Sequence, residues 1–256
     1  MVCNKVFEDK DYEGYVDIVA RLKATARGLD ADGIKGVPTG GVRLWECAHV
    51  AGCIRPKRGD VVLDIGSHRG LLPFYLRELG CIAHAIDPDP PDQEFLDYAS
   101  NQRWIVYREA DIYAIPYPDR CFDAVTSICV LEHLVEDCAE DEFVDRIAEA
   151  VREVMRVLKP GRVFASTVDF YVKGFNTFRT FHRDLLYEIV EAVADVAVPV
   201  GDLDYDIPDP WAYYIENSTV YAADDPRRHE HIEKLKQKIL PDNLFTCAAL
   251  VLRKMV

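Results

Sequence analysis

The sequence predicts an α/β fold, a mostly parallel sheet with helices on both faces, and three observations carry that reading. From about residue 60 onward, short apolar and β-branched runs alternate with amphipathic runs, the pattern of strands joined by helical crossovers. Val61-Val62-Leu63-Asp64-Ile65 passes into Gly66-Ser67-His68-Arg69-Gly70 and then an amphipathic run, which spells a buried strand, a tight turn and a helix start. With 256 residues and 49% hydrophobic composition, the chain has the material for one full α/β core with additions, whereas two complete domains would be cramped.

Helical runs at residues 12–27 and 43–54 flank a glycine-rich loop at 33–41 and precede the repeat. Strand signals then fall at 61–65, 81–86, 104–108, 122–128 and 162–168, with a weaker one at 196–200 and a long apolar one at 244–253. Helices are expected between them at 71–79, 92–100, 140–158 and 182–194. The long helix stops at Leu158-Lys159-Pro160-Gly161, a basic residue followed by two breakers. An acidic, aromatic and proline-rich stretch runs from Asp202 to Trp211-Ala212-Tyr213-Tyr214, and a charged helix follows near 228–239. The expected organisation is an N-terminal helical cap or lid at 1–58 and a core at 59–256, with an insertion at about 201–241 for substrate or interaction.

A net charge of −14, from 30 basic and 44 acidic residues, argues against a nucleic-acid partner, because phosphate binding needs clustered Lys and Arg. No apolar run reaches transmembrane length, and residues 1–10 lack the apolar segment of a signal peptide. The expectation is a soluble cytoplasmic protein with no membrane partner. Eight cysteines stand at 3, 47, 53, 81, 121, 129, 138 and 247, with no C-x-x-C pair and no histidine pair at zinc-ligand spacing. They read as small core hydrophobes in a reducing compartment, and no metal is expected.

The acid at the end of the first strand sets the ligand chemistry. A dinucleotide site carries G-x-G-x-x-G in this turn, because a pyrophosphate sits against the helix N-terminus. Asp64 would repel a pyrophosphate and attract a cationic ligand, which disfavours a nicotinamide oxidoreductase.

Asp64-Ile65-Gly66-Ser67-His68-Arg69-Gly70 resembles the first motif, D-x-G-x-G-x-G, of the class I S-adenosylmethionine-dependent methyltransferases. Residues 115–127, Ile115-Pro116-Tyr117-Pro118-Asp119 through Phe122-Asp123-Ala124-Val125-Thr126-Ser127, continue to Val130-Leu131-Glu132-His133-Leu134. That text is similar to the stretch LPFPDxSFDxVxSxxVLEHL of many small-molecule methyltransferases. Leu158-Lys159-Pro160-Gly161-Arg162-Val163 resembles LKPGGRV with one glycine missing. The matches run in order over about residues 60–168.

The resemblance implies a Rossmann-like, seven-stranded, mostly parallel sheet whose last strand is antiparallel. It implies S-adenosylmethionine as cofactor and a small-molecule acceptor, with oxygen favoured over nitrogen or carbon. It assigns Asp64, Gly66, Ser67, His68, Gly70, Asp87, Pro88, Asp111, Ile112, Cys129 and Leu131 to the cofactor. Within that set, Asp87, 21 residues after Gly66, accepts the ribose hydroxyls; otherwise it is an ordinary loop acid. Asp111 accepts from the adenine amino group, and Ile112 packs its ring. His68 replaces the motif's middle glycine, so its side chain faces the cofactor or substrate mouth, or it is a surface turn residue.

Methyl transfer from a sulfonium is an in-line displacement driven by positioning. A hydroxyl acceptor gains from a general base, and His133, just past the fourth strand, is the candidate, with His68 second. The competing reading is that Glu132-His133 only packs the following turn. Arg43-Leu44-Trp45-Glu46 resembles an R-x-W-E segment before the first motif in some of these enzymes, which makes Trp45 and Glu46 candidates for the lid; core packing of Trp45 is the alternative. Glu132, Arg179, His182 and Tyr213 complete the substrate candidates, and Trp211, Tyr213 and Tyr214 suit either a substrate wall or a homodimer contact. A catalytically silent binding or regulatory protein of the same fold is the alternative function, favoured by the substituted motif centre at His68 and by the incomplete Pro160-Gly161-Arg162 turn.

Overall fold

The structure is a computed structural model that describes residues 3–7, 13–39, 42–135, 138–174, 181–206 and 243–256, side chains at 171–174 and 243–245 excepted. In chain order its elements are β1 (Asn4–Lys5), α1 (Val16–Ala31), α2 (Arg43–Ile54), β2 (Val61–Ile65), α3 (Leu72–Glu78) and β3 (Ile82–Asp87). There follow α4 (Gln93–Asn101), β4 (Ile105–Glu109), β5 (Phe122–Ile128), α5 (Phe143–Val157), β6 (Leu158–Gly174), α6 (Arg183–Ala192), β7 (Ala197–Pro199), β8 (Leu203–Asp204) and β9 (Asn243–Lys254). Seven strands form the main sheet in the order β4-β3-β2-β5-β6-β9-β7, and β1 pairs with β8 in a small second sheet. The pairs from β4 to β6 are parallel, whereas β9 runs antiparallel to both β6 and β7, so the expected α/β architecture is present.

Successive strand residues face opposite sides of the sheet, and here both sides are buried. Leu63, Ile65, Val125, Phe164, Val168, Leu250 and Leu252 pack with α5 and α6. Val62, Ala83, Ala124, Ala165, Cys247, Ala249 and Val251 pack with α1 to α4. The second face is rich in alanine and cysteine, so helices can approach it closely. Helix α2 is buried at every position from Leu44 to Cys53.

Residues 1–58 are expected as a helical cap or lid, and within them the buried faces of α1 and α2 join this core. Trp45 lies fully buried, stacked on His49 with ring centroids 4.6 Å apart and tilted against Phe7 at the same distance. His49 Nε2 donates to the Cys3 carbonyl, and Nδ1 is hydrogen-bonded to the Tyr15 hydroxyl, both at 2.8 Å. Of the two readings for Trp45, lid or core, its packing against Phe7 and His49 is that of a core residue.

Some boundaries moved for identifiable reasons. Strand β6 starts at Leu158, not 162: Phe122 pairs with Leu158 and Ala124 with Val163, so residues 159–162 form a bulge. Between those pairs, the Asp123 carboxylate accepts from Lys159 Nζ at 2.9 Å, pairs with Arg162 at 3.0 Å and accepts from the Val61 N–H at 3.1 Å. The breakers Pro160 and Gly161, expected to stop the long helix, follow its end at Val157 and are held within the strand. Residues 140–142 open the long helix as a 3-10 turn before α5. Trp104, expected in a strand, precedes β4 in the left-handed region, with φ 75. Trp211, Tyr213, Tyr214, Arg179 and the helix expected at 228–239 lie outside the described residues. No helix among the described residues is long and apolar enough to cross a membrane.

Asn4 ties the N-terminal strand to this core. Fully buried, it accepts from the Val251 N–H at 2.6 Å and donates to the Val200 carbonyl at 3.2 Å. Replacing Asn4 with Ala leaves both backbone groups unpaired and is expected to cost about 2 kcal/mol, lowering Tm by roughly 5 °C in a calorimetric melt. An unchanged melt would show that residues 3–7 do not contribute to the cooperative core.

Candidate functional site

The site is built around the turn after β2. Gly66 sits at φ 67, where its N–H and that of Ser67 donate to the Ile86 carbonyl at 2.8 and 3.2 Å. A Cβ on Gly66 would fall 2.2 Å from Val130 Cγ2, and one on Gly70 would fall 2.6 Å from the Ser67 carbonyl oxygen. Both glycines are therefore required by the backbone's own path. Between them, His68 occupies the left-handed region at φ 33, with its side chain exposed. Its N–H donates to Asp87 Oδ2 at 2.9 Å, and its carbonyl accepts from the Tyr107 hydroxyl at 3.2 Å. Asp87 Oδ1 accepts from the Asp89 N–H at 2.9 Å, so one carboxylate at the tip of β3 ties two turns together. Arg69 donates to the Lys35 carbonyl at 2.6 Å, pairs with Asp92 and lies over the Phe95 ring, bringing the loop that carries Pro38 to the rim.

A cavity of about 190 Å³ opens here, walled by Pro38, Arg43, Cys47, residues 64–72, Ile128 and Cys129. Of the residues expected to hold a cofactor, Asp64, Gly66, Ser67, His68, Gly70 and Cys129 line it. Asp87, Pro88, Asp111, Ile112 and Leu131 lie outside its wall. Asp87 is nonetheless bonded to the turn that forms it. Asp111 is exposed and accepts from the Tyr113 N–H at 2.9 Å, while Ile112 and Leu131 are buried in the core with the α5 side of the sheet.

Asp64 is 4% exposed and accepts from Thr126 Oγ1 at 2.7 Å. Burial pushes its carboxyl up to about 6, against the hydrogen bonds from Thr126 and Ser67 that favour the ionised form. It has no ion-pair partner among the described residues.

A second set of acids lies beside the cavity. Glu46, fully buried on α2, pairs with Arg43 at 3.1 Å and accepts from the Cys129 thiol at 2.8 Å and from Thr167 Oγ1 at 3.1 Å. Cys129 stands in the left-handed region at φ 52, its N–H bonded to the Thr167 carbonyl. Glu132 is 3% exposed; burial, and then the nearby Asp169, push it up to about 8. Asp169 on β6 is also raised, by burial and by Glu46. The Cys129 thiol is raised well above its ordinary range by burial and the charges of Glu46 and Glu132. Ligand atoms of Cys129, Glu132 and Asp169 lie within 4.8 Å of one another, so a cation is the chemistry this group invites.

Glu46 and Glu132, both expected near the substrate, are brought together here, whereas Trp45 is not. His133 is exposed on the 3-10 turn Leu131–Val135 and acts electrostatically on Asp169. His182, expected at the substrate, is the N-cap of α6, where Nδ1 accepts from the Leu185 N–H at 3.2 Å. Asp169 was not singled out from sequence, and Arg43 only as the first residue of the Arg43-Leu44-Trp45-Glu46 segment, with no role. Asp169 follows an apolar strand run as Asp64 and Asp87 nearly do, a signal that could have found it; the role of Arg43 comes from its contact with Glu46.

The buried acids give the folded protein a pH dependence. Asp64 and Glu132 hold protons in the folded state that the unfolded chain releases at ordinary carboxylate values. The stability they lend is therefore complete below about pH 4 and is lost as pH rises through about 6 and about 8. Other groups titrate in the same range, so the informative quantity is the difference between the natural chain and Glu132→Gln. Melts recorded from about pH 5 to about pH 9 should show the variant gaining Tm relative to the natural chain as pH rises. Parallel curves would mean that Glu132 is ionised throughout.

Residues 63–166 match the family described as a methyltransferase domain. A ubiquinone biosynthesis O-methyltransferase of Methylocella silvestris is 33% identical over 124 residues, 47% of this chain and 44% of that one. The chain spans about half the length of the curated relatives it matches. Among solved structures, the 1,6-didemethyltoxoflavin-N1-methyltransferase of Burkholderia thailandensis, with S-adenosylhomocysteine bound, is 17% identical with TM-score 0.54, covering 94% of this chain and 91% of that one. Phosphoethanolamine N-methyltransferase 2 of Haemonchus contortus, in complex with S-adenosyl-L-methionine, is 14% identical with TM-score 0.56, covering 98% of this chain and 61% of that one. At these identities the structural likeness is one of fold. The motifs, the sheet order and the family match agree: residues 63–166 match the methyltransferase-domain family, and the chain shares its fold with solved methyltransferases.

Proposed function

We propose that this protein transfers a methyl group from S-adenosylmethionine to a small-molecule acceptor, with an oxygen acceptor as the first reading. The observation that carries the proposal is the turn at 66–70, where two side-chain-free positions and a left-handed residue between them border a cavity that contains the buried, unpaired carboxyl of Asp64. That donor set fits a ligand with an amino group and no phosphate. When bound, S-adenosylmethionine supplies a methyl group already activated on a sulfonium.

The chain's own residues divide the remaining work. Gly66 and Gly70 let the backbone approach a ligand closely, and Ser67 and His68 border the same space. Asp64 offers a carboxylate to the cationic end. Asp87 spends one lone pair of each oxygen on the turn and keeps the others for ribose hydroxyls. Asp111 and Ile112, outside the cavity wall, follow on the next strand tip for adenine, and Cys129 bounds the opposite side with Leu131 buried in the core next to it in sequence.

His133 is exposed beside Asp169, which supports its taking the proton of a hydroxyl acceptor as the methyl arrives. The chain's net charge of −14 supports a small-molecule acceptor over a nucleic acid. The silent-protein reading rests on the incomplete Pro160-Gly161-Arg162 turn and on His68 at the motif's middle position. With φ at 33, the histidine backbone adopts the conformation a glycine would, so the substitution leaves the turn intact.

Calorimetric titration of the full chain with S-adenosylmethionine should show binding that Asp64→Ala weakens by about tenfold or more. No heat in a folded sample would leave the silent reading. His68→Gly should keep the melt within about 1 kcal/mol, because the position already lies in the left-handed region. A fall in cofactor affinity in that variant assigns the imidazole to the ligand, and equal affinity assigns it to solvent. With a hydroxyl acceptor, His133→Ala should lower kcat by about 10²-fold or more with KM little changed. Unchanged kcat would remove the base and favour a nitrogen or carbon acceptor.

A further inference from the structure

We propose that Glu46, Glu132 and Asp169 form a cation subsite that holds an ammonium group of the methyl acceptor. The acidic side chains come from three separate parts of the chain: Glu46 from α2, Glu132 from the turn after β5, and Asp169 from β6. They meet beside a cavity wall that includes Arg43 and Cys129. Identifying the owner of the cation as the acceptor rests on the methyltransferase reading; the cation subsite itself does not.

An acidic cluster alone would mean little, but Glu132 supplies an independent observation. Its side chain is 97% buried, from an exposure of 3%, and Oε2 has no hydrogen-bond partner among the described residues. Its other oxygen lies 3.4 Å from the Asp169 N–H, a contact near the limit of a hydrogen bond. A buried carboxyl with an unmet oxygen carries a desolvation penalty that a donor from outside would relieve. The charges do not balance internally either. Three carboxyls face one guanidinium, Arg43, and that group is engaged with Glu46.

An ammonium suits the group better than a metal ion does. A cysteine binds metal as thiolate, but the Cys129 thiol donates to Glu46 Oε1 at 2.8 Å, and its surroundings hold the proton on sulfur. An ammonium needs only acceptors, has three donors to distribute, and leaves that thiol as it is. Half-buried Cys129 and Asp169 and exposed His133 give the cluster its opening toward solvent.

The binding should be linked to protons. Glu132 holds its proton near neutral pH, and an ammonium placed against it favours the carboxylate, so uptake of the cation releases a proton to solvent. The groups that act on Glu132 are Glu46 from α2, Cys129 after β5, Asp169 from β6 and Cys247 from β9, while Arg43 and His133 act on Asp169 beside it.

The test is calorimetry on the full chain near neutral pH, in buffers of differing ionisation enthalpy, with methylammonium and ethanolamine as probes. Ethylene glycol is the neutral control, and Zn²⁺ and Mn²⁺ are run separately. The expected result is that both ammonium probes bind with net proton release and the glycol does not. Glu132→Gln should abolish the proton release, and Glu132→Gln and Asp169→Asn should each weaken the probes by about tenfold or more, with folding checked by circular dichroism. The charged-against-neutral comparison and the proton count need no variant. Equal binding of the glycol, no proton release, or no ammonium binding overturns the proposal. So does competition by Zn²⁺ or Mn²⁺ that the same variants remove, which would make this a metal site. A parallel titration with S-adenosylmethionine separates the two readings: cofactor binding without ammonium binding sinks the subsite alone, and the reverse sinks the methyltransferase reading alone.

Discussion

The packing of α2 against the small-residue face of the sheet is the constraint on which the rest of the site depends. Ala124, Ala165, Cys247 and Ala249 keep that face shallow, and α2 fills it with Ala48, Ala51 and Gly52 among its buried residues. A helix seated so deeply carries its first turn into the interior. Arg43 and Glu46 therefore arrive beside the tips of β5 and β6, where Glu46 meets Thr167 and Cys129. An acid in such a place is stable only with donors around it, and those donors come from the two strands that the site needs to hold in register.

Asp87 plays the corresponding part on the other side of the cavity. Its oxygens hold the His68 and Asp89 N–H groups, so the conformation of the 66–70 turn is fixed from the neighbouring strand. This explains how a histidine is accommodated at a position where the related motif has glycine. The left-handed region costs a side chain roughly 1–2 kcal/mol, and a hydrogen bond from that residue's own N–H to a nearly buried carboxylate offsets a comparable amount. The acids of the site thus divide into two kinds. Asp87 is held by two backbone N–H groups and shapes the turn, whereas Asp64 and Glu132 are acids whose burial pushes their carboxyls upward.

Much of this was legible in the residues. Asp64 at a strand end, Gly66 and Gly70 at their spacing, and Asp87 after the next apolar run all stand where sequence reasoning placed them, because each depends on a strand tip whose position the apolar pattern marks. Other features depend on contacts between distant residues. Pro160 and Gly161 stop the helix as their residue types suggest, yet Asp123 binds Lys159 and Arg162 across them, so the strand starts at Leu158 and not at Arg162. His182, a substrate candidate because its neighbours are aromatic and basic, also caps a helix. Trp45 was open to either reading, and its packing against Phe7 and His49 decided for the core.

By itself the sequence determined the strand–helix alternation, the acids at the strand tips and the glycine positions of the turn. These follow from periodicity and local backbone geometry, which act over a few residues. Only the tertiary structure decided that Glu46, Glu132 and Asp169, up to 123 positions apart, share one space with Cys129. Their ionisation was settled there as well, since a carboxyl's proton affinity depends on what buries it and which charges stand nearby, and neither is written in the residues beside it.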